Sequence, residues 1–267
     1  MDKQSVAQKK YVQIHYVRKI LINFFRIFIF IAFVFIWEIA AKIGYIDDFI
    51  FSSPSRIFST TKMLLEDNSL YYHLWVTIYE TLISFGLVTL ISIVAAVILW
   101  FSKMASEIFE PYLVVLNSLP KSALAPVLIV WLGANERTII ITAISVAVFG
   151  TIISVYTGFS EVDLDKIKLI KTLGGKNHQV MSKVIIPSTI PIIISSMKVN
   201  IGLALVGVII GEFLAAKAGL GYLIIYGSQV FKMDLVLMSI VLLCVLAAVL
   251  YLTLAGVQKI YDKLLRR

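Results

Sequence analysis

Apolar residues form six long runs along this chain, and polar segments separate them. The runs cover residues 24–41, 74–101, 109–132, 138–156, 190–214 and 235–257. Each approaches or exceeds the roughly 20 residues that an α-helix needs to cross the hydrocarbon core of a bilayer. Pro111, Pro120 and Pro126 interrupt the third run, and a proline removes one helical hydrogen bond. The pattern predicts an all-α protein with six transmembrane helices, multi-pass in the cell membrane.

Two of the connections between the runs have features of their own. The connection over residues 42–73 is polar, and its Ser-Ser-Pro-Ser stretch at 52–55 marks a turn. The connection after the fifth run holds Gly219 and Gly221, followed by an apolar stretch at 223–225 that is too short to span. We expect this last segment to be a short re-entrant or surface element, packed against protein or a water-filled cavity.

Composition supports a membrane protein and excludes several other classes. The 267 residues are 60% hydrophobic and 15% charged, which is more apolar surface than a soluble domain of this size can bury. Cys244 is the single cysteine, so neither a disulfide framework nor a multi-thiolate metal site is possible within the chain. The three histidines lack metal-ligand spacing, and no cofactor is expected. The net charge of +8 suits basic membrane-proximal loops and does not call for a nucleic-acid partner.

The basic residues predict the orientation in the bilayer. With the N-terminus in the cytoplasm, sixteen lysines and arginines fall inside and six outside, in agreement with the positive-inside rule. Six spans then place the C-terminus in the cytoplasm as well. This arrangement divides the chain into a basic cytoplasmic tail at residues 1–23 and a transmembrane domain at residues 24–267.

The most unusual polar segment lies between the fourth and fifth runs. It reads KIKLIKTLGGKNHQVMSKVIIPSTIP over residues 166–191 and carries five lysines. It is longer than the few residues that usually connect helices, and the orientation places it in the cytoplasm. A solvated basic connector would explain it, and so would a docking surface for a partner protein.

The residues of this segment predict two short helices. Ser160 can cap the first helix, in which apolar positions recur at near-helical spacing up to Ile170. Gly174 and Gly175 should end it, because glycine is the usual residue of the left-handed helix stop. A second helix is predicted from about residue 176 to 186, with Pro187 and the later Pro191 separating it from the fifth span.

The same segment resembles the cytoplasmic loop of ABC importer permeases. In that family the loop reads E-A-A-x-x-x-G and ends, some residues later, in an apolar-Leu-Pro sequence. The matching positions are Lys168, Leu169, Ile170 and Gly174, then Ile185, Ile186 and Pro187. Three further blocks resemble the nitrate, sulfonate and taurine branch: SSPSRIF, SLPKSALAPVLIVWLGANE and GEFLAAKAGLGYLI. The resemblance extends over roughly residues 35–260, although Lys168 stands where the family has an acidic residue.

The resemblance implies a type I ABC importer permease. Such a chain would pair in the lipid bilayer with a second permease subunit, expected to be a second copy of itself, and would bind cytoplasmic ATP-binding subunits and an external substrate-binding protein. The coupling loop would span about residues 160–189. The resemblance implies that eight residues of this loop dock the ATPase: Lys168, Leu169, Ile170, Lys171, Thr172, Gly174, His178 and Pro187. The implied substrate is a small anion such as a sulfonate, nitrate or taurine, while relatives that carry heterocyclic vitamin precursors leave that class open.

The chain lacks the residues for ATP chemistry. A phosphate-binding loop needs G-x-x-x-x-G-K-[ST]. The nearest stretch has Ile170 in place of the first glycine and Asn177 in place of the hydroxyl residue that binds magnesium. We therefore expect no catalytic residues here, and ATP hydrolysis on a separate chain.

Four polar residues in the apolar runs are candidates for the translocation pathway: Asn117, Lys121, Asn200 and Glu212. Lys121 follows Pro120, and prolines free backbone carbonyls that can line a cavity; alternatively, Lys121 lies at the cytoplasmic surface. Glu212 is the one acidic residue of the fifth run and contacts either substrate, a gate or a structural partner. Asn200 either faces the pathway or holds helices together. Gly207 and Gly211 form a G-x-x-x-G pair for close packing or dimer contact.

A secondary transporter or channel that works without an ATPase is the alternative function. Such proteins often carry an inverted repeat and paired buried charges, and neither is evident in the sequence. An intramembrane enzyme is disfavoured because the chain contains neither H-E-x-x-H nor G-x-S-x-G.

Overall fold

The computed structural model describes residues 6–265, which are helical almost throughout and contain no strand. The helices are α1 (Val6–Lys42), α2 (Asp48–Phe51), α3 (Pro54–Glu66), α4 (Ser69–Phe101), α5 (Lys103–Ser118), α6 (Lys121–Leu132), α7 (Glu136–Ser160), α8 (Leu164–Thr172), α9 (Asn177–Val180), α10 (Ile186–Ala215), α11 (Leu220–Gln229) and α12 (Met233–Leu265). A π-helical turn, Met181–Ile185, joins α9 to α10. Lys3, Arg266 and Arg267, which the charge count includes, lie outside the described residues.

Five of these helices are long and apolar enough to cross a membrane: α1, α4, α7, the continuous α9–α10 segment and α12. The pair α5 and α6 meets the same criteria together, with a bend of 95° between them. Counting that pair as one broken span gives six, so the predictions of an all-α membrane protein and of a broken third span are confirmed. The cytoplasmic placement of both termini stays a prediction.

Helices α4, α7 and α10 form the centre of the bundle. Gly207 and Gly211 of α10 lie against α7, and a Cβ built on Gly207 would lie 2.5 Å from the Cα of Ala143. The two helices can approach so closely because glycine has no side chain there. The G-x-x-x-G pair is therefore a packing element within the chain.

Helix α1 lies at the periphery, and none of its most apolar stretch is buried inside the chain. Such an apolar surface suits contact with lipid. The helix runs without interruption through residue 23, where the sequence suggested the end of a tail. The division at residues 23 and 24 stays a prediction.

The connection at residues 42–73 is more helical than the sequence suggested, since it contains α2, α3 and the first turn of α4. The predicted turn at residues 52–55 is confirmed, with Ser53 as the N-cap of α3. Arg56 of α3 donates through Nε and Nη2 to Oδ2 of Asp234, at 3.1 and 2.9 Å, and through Nη1 to Asp48 at 2.8 Å. These carboxylates raise the pKa of Arg56 above its ordinary value, and the network fastens α2 and α3 to the start of α12.

Candidate functional site

The bundle has two ends with different chemistry. At the α8 end, α7 leads into α8, and α9 leads into α10. At the α11 end, α10 leads into α11 beside the start of α4. The predicted docking residues lie at the α8 end, Glu212 lies at the α11 end, and Asn117 and Lys121 lie between the two.

Helix α8 begins differently from the prediction. Ser160 does not cap it, because α7 continues to Ser160, whose hydroxyl donates to the carbonyl of Tyr156 at 3.1 Å. Asp163 is the cap instead, and its Oδ1 accepts the amide of Asp165 at 2.9 Å. A serine hydroxyl is readily satisfied inside a helix by the carbonyl four residues earlier, so Asp163, three residues further on, caps α8 instead.

The glycine stop after α8 is confirmed. Gly174 has a φ of +80°, in the left-handed region that favours glycine. The amide of Gly174 donates to the carbonyl of Lys171 at 3.0 Å, and the amide of Gly175 donates to that of Ile170 at 2.9 Å. These bonds satisfy carbonyls that would otherwise be left free at the helix end.

The predicted break before the fifth span is wrong. Helix α9 passes through the π-helical turn directly into α10, with Pro187 near its start and Pro191 inside it. Pro187 and Pro191 each remove one backbone donor from this path, and a π-helical turn is a known means of accommodating such irregularity within a helix. Helix α9, the π-helical turn and α10 therefore form one continuous helical path.

The loop is packed firmly onto the bundle. Its buried residues share one apolar cluster with residues of α4 and α7, and α8 packs against that cluster through Ile167 and Ile170. The buried members of the cluster are Ala96, Val155, Phe159, Val162, Val180, Met181, Val184 and Ile185. Displacement of α8 would consequently act on α4, α7 and α10 together.

The opposite side of α8 is open. Of the predicted docking residues, Ile170 faces inward, and the others are exposed: Lys168, Leu169, Lys171, Thr172, Gly174, His178 and Pro187. Leu169 is 60% exposed, and Leu173, which the sequence did not single out, is 76% exposed.

Asn117 and Lys121 meet at the break between α5 and α6. Lys121 donates from Nζ to the main-chain carbonyl of Asn117. A Cβ built on Gly150 would lie 3.0 Å from Oδ1 of Asn117, and Gly150 is in the middle of α7. The break is thus level with the middle of a transmembrane helix, where irregular backbone is tolerated only against protein or a water-filled cavity.

Asn200 lies apart from the other candidates. Its side chain is buried in α10, and Nδ2 has no hydrogen-bond partner among the described residues. Glu212 lies about 18 Å further along the same helix, at 1.5 Å per residue. The four pathway candidates therefore do not form a single site within one chain.

Glu212 holds the start of α11. Its side chain is 1% exposed, Oε1 accepts the hydroxyl of Thr77 at 2.7 Å, and Oε2 accepts the amide of Gly221 at 2.5 Å. Thr77 in turn accepts the amide of Leu220 at 2.8 Å, and Nδ1 of His73 accepts that of Gly219 at 3.1 Å. Side chains of α4 and α10 therefore satisfy the free amides that begin α11.

Glycine is required at positions 219 and 221, where the carboxylate of Glu212 contacts the start of α11. A Cβ on Gly221 would lie 2.7 Å from Oε2 of Glu212, and one on Gly219 would collide with the same carboxylate. Gly219 also has a φ of +110°. The predicted short element after the fifth span is thus confirmed as a ten-residue helix, and its glycines make room for the carboxylate that caps it.

Glu80 is the main residue that the sequence analysis missed. It is 2% exposed, its carboxyl group lies near that of Glu212, and its Oε2 has no hydrogen-bond partner among the described residues. The structure therefore contains a pair of buried carboxyl groups that was not evident in the sequence. A signal was available, because His73, Thr77 and Glu80 recur at the spacing of one helical face in an otherwise apolar run. A cavity of about 300 Å³ adjoins Glu80 and is also lined by Asn135, Glu136 and Lys217, among others.

Comparison with known proteins identifies the class. The family described as "Binding-protein-dependent transport system inner membrane component" matches residues 88–267. The chain belongs to this family, and it is a multi-pass membrane permease of the ABC importer type.

Individual relatives agree with the family. The chain is 28% identical over 231 residues to an aliphatic sulfonates transport permease protein, SsuC, of Bacillus subtilis, covering 86% of this chain and 83% of that one. It is 26% identical over 194 residues to the formylaminopyrimidine transport permease protein ThiX of Halalkalibacterium halodurans, covering 72% and 76%. An inward-facing structure of the MetNI methionine ABC transporter superposes with a TM-score of 0.62 at 18% identity, covering 69% of this chain and 92% of that one; this likeness concerns the fold.

Proposed function

We propose that this chain is the pore-forming subunit of an ATP-driven importer that moves a small anion of the sulfonate, nitrate or taurine kind. An external binding protein delivers the solute, and two copies of the chain enclose the pathway. ATP hydrolysis takes place on a separate cytoplasmic subunit that docks on the loop at about residues 160–189. Family membership and the similarity to SsuC support this proposal.

The packing of the coupling loop is the observation that carries the proposal. A loop that only connects two spans has no need of a buried apolar cluster, yet α8 rests on one that includes residues of α4 and α7. From α9 onward the segment also continues through the π-helical turn into α10 without a break. A push on α8 is therefore transmitted to three spans as a rigid-body movement, which is how a bound nucleotide on a partner can bias one of two states.

The break between α5 and α6 supports the anionic substrate. Lys121 supplies a positive charge level with the middle of α7, beside backbone groups that the bend leaves without helical partners. An anion crossing the bilayer is favoured by such a charge. We expect Lys121→Gln to reduce uptake of a radiolabelled alkanesulfonate several-fold and to leave binding of the ATPase unchanged.

A transporter that needs no ATPase is the second candidate. The buried pair of Glu80 and Glu212 is the observation that favours it, because paired buried carboxyl groups are typical of ion-coupled transporters. The contacts of Glu212 with the start of α11 give that residue a structural task, so the importer is the better-supported function.

Co-purification of an ATPase subunit followed by reconstitution in liposomes tests the proposal. Wild type should bring down an ATPase and support ATP-dependent uptake, and Gly174→Trp should lose both, since Gly174 adopts a left-handed conformation at the loop's turn. Gly44→Trp is the matched control, because Gly44 also has a positive φ and open surroundings but lies between α1 and α2. Uptake by wild type in the absence of any ATPase would instead establish the second candidate.

A further inference from the structure

Two carboxyl groups are buried beside each other at the α11 end of the bundle. Glu80 of α4 is 2% exposed, Glu212 of α10 is 1% exposed, and their carboxyl groups lie close enough to interact electrostatically. Within the described part of the chain, neither has a lysine, arginine or histidine nitrogen within 4.0 Å. Burial removes the hydration that stabilises a carboxylate, and two adjacent carboxylates repel each other. The pair therefore needs a positive ion that compensates one of the two charges, and the smallest such ion is a proton.

The hydrogen-bond donors around the pair are divided unequally. Glu212 accepts the hydroxyl of Thr77 at 2.7 Å and the amide of Gly221 at 2.5 Å, whereas the buried Oε2 of Glu80 has no hydrogen-bond partner among the described residues. Donors stabilise the charged form of a carboxyl group, and a buried polar atom without a partner is uncommon in a native structure. A proton on Glu80 accounts for both observations, because the protonated group becomes a donor and the carboxylate of Glu212 lies near it as an acceptor.

A cavity connects Glu80 with the surface. Its volume is about 300 Å³, and its lining includes Glu80 and the exposed residues Tyr72, Glu136 and Lys217. A polar cavity of this size has room for water, which needs polar partners and only a fraction of that volume. Water can therefore reach the edge of the pair and exchange a proton with Glu80.

We propose that Glu80 and Glu212 form a proton-binding site, in which the protonated carboxyl group of Glu80 donates a hydrogen bond to the carboxylate of Glu212 and exchanges its proton with water in the cavity. When the proton leaves, it passes to water, and Glu80 becomes a second buried carboxylate. Neither the transported solute nor the ATPase takes part, so the site is independent of the proposed function.

The proton also acts on the start of α11, because Glu212 holds the amide of Gly221 there. Loss of the proton places two negative charges side by side, and their repulsion is relieved only when α4 and α10 separate at this level. The other titratable groups on the elements around the pair are Tyr72 and His73 of α4, Glu136 of α7, Lys217 before α11 and Tyr222 of α11. None of these forms an ion pair with Glu80 or Glu212, so the proton is the counterion that the described residues leave to the pair.

Infrared difference spectroscopy of the full-length permease in an ester-free detergent tests the proposal. At about pH 7 exposed carboxyl groups are ionised, so the carbonyl stretching band of a protonated carboxyl group reports a shielded one. Wild type should show this band, with a shift in D2O, and Glu80→Gln should lose it. Glu136→Gln is the matched control and should keep it, because Glu136 is an exposed carboxyl group that lines the same cavity.

The pH dependence of the melting temperature is the second measurement. The exposed carboxyl groups of an unfolded chain release their protons below neutral pH, so the native state binds one more proton than the unfolded state, and stability should fall as the pH rises further. Raising the pH from about 6 to about 8 should lower the melting temperature of wild type by at least about 2 °C more than that of Glu80→Gln, whose amide is a permanent donor.

Three outcomes would overturn the proposal. The first is a wild-type spectrum without the band, and the second is a band that survives Glu80→Gln. Should Glu80→Gln fail to fold, Glu80→Asp keeps a carboxyl group at the site and must shift the band, and an unshifted band counts against Glu80 in the same way. The third outcome is a metal cation in place of the proton: the band is absent, and NaCl raises the melting temperature of wild type while choline chloride at equal ionic strength does not.

Discussion

The two ends of the bundle differ in what they do with polar groups. At the α11 end, the carboxylate of Glu212 and the hydroxyl of Thr77 are buried and fully used to hold a short helix. At the α8 end, lysines and leucines lie together on an exposed surface. Side chains at the α11 end form hydrogen bonds within the chain, whereas those at the α8 end are exposed and can contact a partner. Substitutions should therefore affect stability at the α11 end and association at the α8 end.

The largest effect on stability is expected at Glu212. Glu212→Ala removes the acceptor for the hydroxyl of Thr77 and the amide of Gly221, which remain buried, and this should cost about 2–4 kcal/mol. Thermal unfolding in detergent measures it. Glu136→Ala is the control, because Glu136 is exposed and lines the cavity beside Glu80. Equal melting temperatures for the two variants would contradict the structural role of Glu212.

The close contact between α7 and α10 is expected to have the next largest effect. Gly207→Ala places a methyl group 2.5 Å from the Cα of Ala143 and should destabilise the protein by about 1–3 kcal/mol. Gly202→Ala lies on the same helix with open space around it, so alanine's better helix propensity should leave stability unchanged or slightly higher. Equal melting temperatures for Gly207→Ala and Gly202→Ala would contradict the close contact between α7 and α10 at Gly207.

Substitutions on the two faces of α8 should differ in their effect on stability, and this difference should be smaller than the effects at Glu212 and Gly207. Ile170→Ala removes apolar contacts with the buried cluster and should cost about 1–2 kcal/mol, since Ile170 is half-buried. Leu169→Ala should leave the melting temperature unchanged and weaken only the ATPase complex. A lower melting temperature for Leu169→Ala would show that Leu169 is packed against the bundle, and it would contradict the difference between the two faces of α8.

The smallest effects concern exposed charges. Arg56→Gln breaks the network with Asp234 and Asp48 at the α11 end, and because the side chain is 40% exposed the cost should be at most about 1 kcal/mol. Lys168→Gln at the α8 end should produce no measurable change in melting temperature, since both members of its ion pair are exposed. A larger effect at Lys168 than at Arg56 would contradict the division between the two ends.

Local features could be read from the sequence where one residue type decides the outcome. The six apolar runs, the interruption of the third by prolines and the left-handed stop at Gly174 were all predicted. Each depends on the residue itself and its immediate neighbours. The boundaries were less certain, because Ser160 has two ways to satisfy its hydroxyl and only the surrounding helix decides between them.

Contacts between distant parts of the chain were decided by the tertiary structure. Glu80 and Glu212 lie on different helices, and nothing in their separate runs indicates that their carboxyl groups meet. Gly219 and Gly221 resemble ordinary loop glycines until the carboxylate beside them is seen. Apolar periodicity specifies which helices form, whereas the packing of α4 against α10 determines which polar groups become partners. The sequence thus determined the spans and the exposed basic loop, and the tertiary structure alone decided how the α11 end is held together.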